Sequence, residues 1–237
     1  MTRVLVVDYG VGNLLSVRRA LERCGAEVQL TGDPEQIAAA EHLVLPGVGA
    51  FGDCMAGLRA RELIEPLVAH AASGRPFLGI CVGMQMLFAG SEEFGEHAGL
   101  GIFGGRVVRI PATAADGTAH KVPHVTWAGL VPGPATATWE GTVLSGIAKG
   151  ACCYFIHSFA PEPEDEGIRL ADADYNGRTI AAVVGRANVI GCQFHPEKSA
   201  QTGLRLLAKF LEMSRCEPDH AILRMASAAS SRSTFRG

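Results

Sequence analysis

No apolar stretch among the 237 residues approaches the roughly 20 consecutive apolar residues that a membrane-crossing helix needs. No run of lysine and arginine rises above an ordinary solvated surface, so a nucleic-acid partner is not indicated. The 21 basic and 24 acidic residues leave a formal net charge of −3, a mildly acidic balance. The seven cysteines are an odd number with no CxxC spacing, which excludes a disulfide scaffold and reads as a reduced, cytoplasmic chain. Cys152 and Cys153 are adjacent in a strand-like run and face opposite sides, so they are poorly placed to bridge each other. Cys24, Cys54 and Cys192 read as packing residues. No metal-ligand set is assembled: His120 and His124 have i,i+4 spacing, but Pro123 spoils a helix between them. The N-terminus passes at once through Arg3 into an apolar strand, unlike a signal peptide or anchor.

What is present is enough apolar residue, 48% of the chain, for one substantial core. Strand-like runs at Arg3–Val7, Glu27–Leu30, His42–Leu45 and Phe77–Ile80 alternate with helical segments at about Asn13–Arg23 and over 52–73, the latter with a break expected near Pro66. This rhythm predicts an α/β fold with a mostly parallel central sheet and helices on both faces. Beyond residue 100 the pattern changes. Gly105–Ile110, Ala151–Ser158, Ile168–Tyr175 and Thr179–Val184 read as strands, with a hairpin signal at Asn176-Gly177, so an antiparallel extension is expected within the same domain. A closing helix over 199–213 is expected to bury Leu204, Leu207, Ala208 and Leu211. The domain is thus read as 1–213. Residues 214–237, rich in serine, alanine and arginine, read as a disordered tail in which Ala221–Ala226 could form a short docking helix.

Two motifs carry chemistry. Gly79-Ile80-Cys81-Val82-Gly83 follows an apolar strand and opens a helix-like run. A nucleophile in that frame projects from the carboxyl edge of a sheet, and its glycines permit a strained turn and close helix packing. The N–H of Val82 is then a natural oxyanion donor, and a helix start beneath Cys81 favours the thiolate. An isolated cysteine is more often simply buried. The second motif, Gln193-Phe194-His195-Pro196-Glu197, ends another strand and supplies the missing parts. Alternation places His195 and Glu197 on one side if the strand continues, with Pro196 expected to prevent a helix from starting there. His195 can then take the thiol proton while Glu197 orients the ring.

In order along the chain, Asp8-Tyr9-Gly10-Val11-Gly12-Asn13, Pro46-Gly47-Val48-Gly49-Ala50-Phe51, the Cys81 motif through Gln85, Tyr154-Phe155-Ile156-His157-Ser158 and Gln193–Ser199 resemble the class I (triad) glutamine amidotransferases. More narrowly they resemble the glutaminase-subunit family of the imidazole glycerol phosphate synthases. The resemblance implies hydrolysis of glutamine through a thioester on Cys81, with His195 and Glu197 completing the triad. It implies Val48 N–H as the second oxyanion donor, and Gly49, Gln85, Glu93 and the backbone at Ser158 and Phe159 around the amino-acid end of the substrate. Taken alone, Glu93 reads equally well as a solvated helix-end charge beside Glu92. The implied partner is a (β/α)8-barrel cyclase subunit that receives the ammonia, with Asn13, His124, Trp127, Tyr154 and Lys198 at the positions facing it. Trp127 has a competing reading as a core aromatic and Lys198 as a solvated cation. No cofactor and no metal are implied.

The chain departs from the family at Val125, Thr126 and Ala128, where Pro-His-Met-Gly-Trp-Asn is usual, at Val82 in place of leucine, and at Phe159 in place of tyrosine. Two alternatives follow: a triad glutaminase serving another synthase, such as a sugar-modifying one, or a non-catalytic scaffold subunit.

Overall fold

A computed structural model describes residues 1–134 and 136–224. The first half of the chain gives β1 (Arg3–Val7), α1 (Leu14–Arg23), β2 (Glu27–Thr31), α2 (Pro34–Ala39), β3 (His42–Gly47), α3 (Phe51–Ala60), α4 (Ile64–Ala72), β4 (Phe77–Cys81) and α5 (Val82–Gln85). Then come β5 (Phe88–Ser91), β6 (His97–Ala98), β7 (Phe103–Arg109), β8 (His124–Pro132), β9 (Cys152–His157), β10 (Phe159–Pro163), β11 (Arg169–Tyr175), β12 (Arg178–Arg186), β13 (Val189–Cys192) and α6 (Ala200–Leu211).

The large sheet has nine strands in the order β2-β1-β3-β4-β13-β12-β11-β8-β9. Pairing is parallel from β2 to β13 and antiparallel from there to β9. The expected parallel core with an antiparallel extension is present, and the extension gains β8, which carries no strand signal strong enough to stand out beforehand. A second sheet, β10-β7-β5-β6, was not foreseen. The Ala151–Ser158 run ends at His157, and Ser158 is the step at which the chain leaves one sheet for the other.

Local chemistry explains the boundaries. Asp33 caps α2 by accepting from the Glu35 N–H at 2.9 Å, with Pro34 at the first helical position. The helical stretch 52–73 breaks at 61–63, where Glu62 takes φ 57°, and not at Pro66. That proline sits in the first turn of α4, where a missing N–H costs little.

Helix α6 buries Gly203, Leu206, Leu207 and Phe210. The expected stripe was displaced because its first contact is a glycine: a Cβ on Gly203 would lie 1.9 Å from the Pro196 carbonyl oxygen. Beyond α6, residues 214–224 lie against the domain. The Cys216 N–H donates to the Gly74 carbonyl at 2.9 Å, Asp219 caps a helical turn at 220–224, and Ile222 is 1% exposed. Residues 225–237, including the end of the suggested docking helix, lie outside the described residues.

Candidate active site

The carboxyl ends of β3, β4 and β13 lie side by side, in register Gly47 opposite Cys81 and Cys192 opposite Ile80. Open α/β sheets place ligands at such strand ends. Cys81 leaves β4 with φ 54° and ψ −113°, a conformation that a non-glycine residue holds only when its surroundings impose it. They do so through glycine contacts. A Cβ on Gly83 would lie 1.9 Å from the Leu45 carbonyl oxygen, and one on Gly47 2.6 Å from the Gly83 nitrogen. The turn after Cys81 is therefore pressed against β3, and the thiol is thrown to the strand-end side. Helix α5 is only four residues long, so no sustained helix dipole ends at Cys81.

His195 and Glu197 meet, though by another route than strand alternation. β13 stops at Cys192, and Pro196 opens a 3-10 turn over Pro196–Lys198 instead of blocking one, because the first helical position needs no N–H. That turn brings His195 Nδ1 to 2.8 Å from Glu197 Oε1, with both side chains buried. Nδ1 donates to the carboxylate, which leaves Nε2 as the ring nitrogen available to Cys81. Burial alone would lower the His195 pKa, but hydrogen bonds to Cys81 and Glu197, and the charges of both, push it up to about 9. The turn is held by Ser199 Oγ donating to the His195 carbonyl at 2.7 Å and by the His195 N–H donating to Tyr154 O at 3.1 Å.

The loop after β3 reaches the same place. Gly49 takes φ +91° with open space around its would-be Cβ, and the Val48 carbonyl accepts from Cys54 Sγ at 3.4 Å. Glu93 is not at a helix end. It follows β5, and its Oε2 accepts the Phe51 N–H at 2.7 Å, capping α3 where the Val48 loop ends. Gln85 is buried, and its Nε2 donates to the Phe159 carbonyl at 2.9 Å. The Ser158 carbonyl is turned to the second sheet, accepting from the Ile110 N–H at 2.9 Å.

The five positions read as partner-facing divide. Trp127 is 52% exposed and pairs across β8–β9 with Tyr154, ring centroids 5.9 Å apart, while Lys198 Nζ sits 6.0 Å from the Tyr154 ring. Asn13 caps the exposed start of α1, a helix that packs on the Pro196–Lys198 turn. His124 does not join them. It is 0% exposed, because β8 alternation turns residues 124, 126 and 128 away from the face that carries Val125 and Trp127. His124 Nδ1 lies 3.0 Å from His157 Nε2, and His157 Nδ1 lies 2.8 Å from the Phe159 carbonyl. Burial lowers the pKa of His124 to about 4 and of His157 to about 3.

The sequence reading missed Gln193 and His157 as parts of this site. Both stood inside the quoted motifs, but nothing in a linear pattern shows that Gln193 Nε2 lies 3.7 Å from Cys81 Sγ.

The pattern of the family described as glutamine amidotransferase class-I matches residues 5–213. The chain belongs to that family. Among curated proteins it is 49% identical over 213 residues to imidazole glycerol phosphate synthase subunit HisH 1 of Legionella pneumophila (strain Lens), covering 90% of this chain and 100% of that one. It is likewise 49% identical over 212 residues to the HisH subunit of Syntrophotalea carbinolica, with 89% and 100% covered. Among solved structures, PurLQS from Thermotoga maritima superposes with a TM-score of 0.66 at 24% identity, covering 89% of this chain and 98% of that one, and shares the fold. As a class I glutamine amidotransferase, the chain has its strained Cys81 turn and its His-Pro-Glu turn within the matched region.

Proposed function

We propose that this amidotransferase is the glutaminase subunit of an imidazole glycerol phosphate synthase, with Cys81 as nucleophile, His195 as acid and base, and Glu197 as the group that orients and charges the imidazole. The observation that carries the chemistry is the strained Cys81 turn set beside a buried His195–Glu197 pair at 2.8 Å. The likeness to HisH subunits over their whole length supports the pathway and weighs against a sugar-modifying synthase.

In this reading the Cys81 thiolate attacks the side-chain amide carbon of glutamine. The oxyanion forms against the Val82 N–H and, once the loop turns, the Val48 N–H. His195 gives its proton to the leaving nitrogen, and ammonia departs from a γ-glutamyl thioester. Water, deprotonated by His195, then attacks the thioester; glutamate leaves and the thiolate is restored. Gly49, Gln85, Glu93, Ser158 and Phe159 surround the amino-acid end of the substrate. No cofactor enters the scheme.

Released ammonia needs an acceptor. A (β/α)8-barrel cyclase subunit, bound as a heterodimer over Asn13, Trp127, Tyr154 and Lys198, would use it in the lyase step that forms imidazole glycerol phosphate and aminoimidazole carboxamide ribonucleotide in histidine biosynthesis. The chain is assigned to the cytoplasm on the strength of that biosynthetic role; among the described residues no helix is long and apolar enough to cross a membrane.

The test is glutamate release by the purified chain with and without a cyclase subunit and its nucleotide ligand. Strong stimulation by both is expected, over a poor activity of the chain alone. Cys81→Ala should abolish glutamine-dependent turnover, at least 1,000-fold on the scale of lost nucleophiles, while ammonia-dependent turnover by the cyclase persists. High activity from the chain alone would overturn the partner-activated reading, and glutaminase activity surviving in C81A would overturn the triad.

A further inference from the structure

Beyond the proposed triad, the side-chain amide of Gln193 reaches the Cys81 sulfur, with Nε2 at 3.7 Å. Gln193 is fully buried, so what its amide presents to the sulfur is set by the protein and not by water. A backbone carbonyl determines that polarity. The Phe159 oxygen can only accept, and it takes hydrogen bonds from His157 Nδ1 at 2.8 Å and Gln85 Nε2 at 2.9 Å. Gln85 must therefore turn its NH2 toward Phe159. Its second N–H then donates to Gln193 Oε1 at 3.1 Å. With its oxygen engaged, Gln193 has only its NH2 left to face Cys81. The direction of every amide in the chain follows from one carbonyl whose polarity cannot change.

The far end is anchored as firmly. His157, with Nδ1 donating, accepts at Nε2 from His124 Nδ1 at 3.0 Å, and His124 lies between the rings of Phe155 and Tyr175. Reversing the amides would set the Gln85 oxygen against the Phe159 oxygen at 2.9 Å, replacing a buried hydrogen bond by the repulsion of two acceptors.

We propose that Gln193 is a positioning residue for the nucleophile: its amide, aimed by Gln85 and the Phe159 carbonyl, holds the Cys81 sulfur and stabilises the thiolate with an N–H donor. This rests on Cys81 being the nucleophile of the proposed glutaminase. With α5 only one turn long, a fixed side-chain donor supplies what a longer helix would otherwise contribute. The other ionisable groups that interact with Cys81 are His195, Cys54, Cys192 and Tyr9. Burial raises Cys54, Cys192 and Tyr9 above their ordinary values, so of these His195 is the charged neighbour that bears on the sulfur.

The experiment is the pH dependence of Cys81 alkylation by iodoacetamide in the full chain, read by mass spectrometry of the Cys81 peptide. The thiolate sulfur displaces iodide to form a thioether, so the readout needs neither glutamine nor a partner, and it separates this proposal from the glutaminase reading. Gln193→Met keeps the side-chain length and removes the donor. The midpoint should rise by about one pH unit, a tenfold slower reaction below it. Gln85→Glu should raise it as well without touching the sulfur, because a carboxylate at 85 draws the Gln193 NH2 away. Unchanged midpoints in folded variants would overturn the proposal. If neither variant folds, the wild-type chain decides by NMR: the Gln193 side-chain amide protons should titrate with the Cys81 midpoint, and amide shifts that stay constant through it would overturn the proposal.

Discussion

In the parallel half of the large sheet, the environment of Cys81 is set by backbone against backbone, with Gly47, Gly79 and Gly83 each occupying a place that no side chain could share. At the opposite edge, the β8–β9 hairpin is set by side chains on one face alone. Ala128, Leu130, Cys153 and Phe155 are buried, while Val125, Trp127 and Ile156 stand exposed on the other. The contrast separates what a nucleophile needs from what a docking face needs. A nucleophile requires one conformation held against strain, and backbone contacts supply that to Cys81, the proposed nucleophile. The outward face of the hairpin requires a surface, which can change residue by residue without disturbing the sheet. The departures from the family pattern at Val125, Thr126 and Ala128 fall on this hairpin.

The sharpest way to break the comparison is Gly83→Ala. A methyl group 1.9 Å from the Leu45 oxygen forces β3 and α5 apart, and a loss of more than about 4 kcal/mol is expected. Urea unfolding measures it, and a variant as stable as wild type would refute the packing account.

Trp127→Ala addresses the other half. It should leave the melting temperature nearly unchanged, since the ring is mostly in solvent, and weaken cyclase binding by roughly 30-fold, the scale of an aromatic hot spot of about 2 kcal/mol. Calorimetric titration against the cyclase reads the second quantity. Wild-type affinity would remove Trp127 from the proposed interface.

The smallest effect concerns pH. His70 is buried beneath Phe77, its Nε2 3.2 Å from the Pro76 carbonyl, and burial lowers its pKa to about 4. An unfolded histidine titrates near 6.5, so below that value the unfolded chain binds a proton that the folded chain refuses. The stability is therefore complete above about pH 6.5 and is lost as pH falls toward about 4, at up to about 1.4 kcal/mol per pH unit. His70→Gln should flatten that slope in denaturant titrations at several pH values, without altering the His195 region. An identical slope in the variant would assign the acid sensitivity to the other buried histidines, His42, His124 and His157.

Much of this arrangement was legible beforehand where local pattern and chemistry coincide. Glycine spacing around Cys81 announces a tight turn because only the absence of a Cβ allows it, and continuous apolar runs mark β1, β3, β4 and β13. Legibility failed where a residue acts through a contact its type does not advertise. Gly203 heads the buried face of α6 as a point of close approach, so a search for large apolar residues shifts the stripe by one position. Pro66 and Pro196 both sit at helix starts, and the same residue that ends helices was read as a barrier. His124 carried the family's surface motif yet points inward, since a one-residue change of phase along β8 exchanges the two faces. Gln193 and Glu93 are polar residues whose partners lie far along the chain, at Cys81, Gln85 and Phe51.

The hydrogen bond from the His195 N–H to the Tyr154 carbonyl joins the two regions that were contrasted above. Tyr154 shows its ring on the exposed face and lends its backbone to the turn that carries His195. A lineage that remodels this hairpin to suit a new neighbour therefore edits the setting of His195, the proposed proton carrier, in the same step. Recognition and chemistry here are inherited together, and neither can drift far alone.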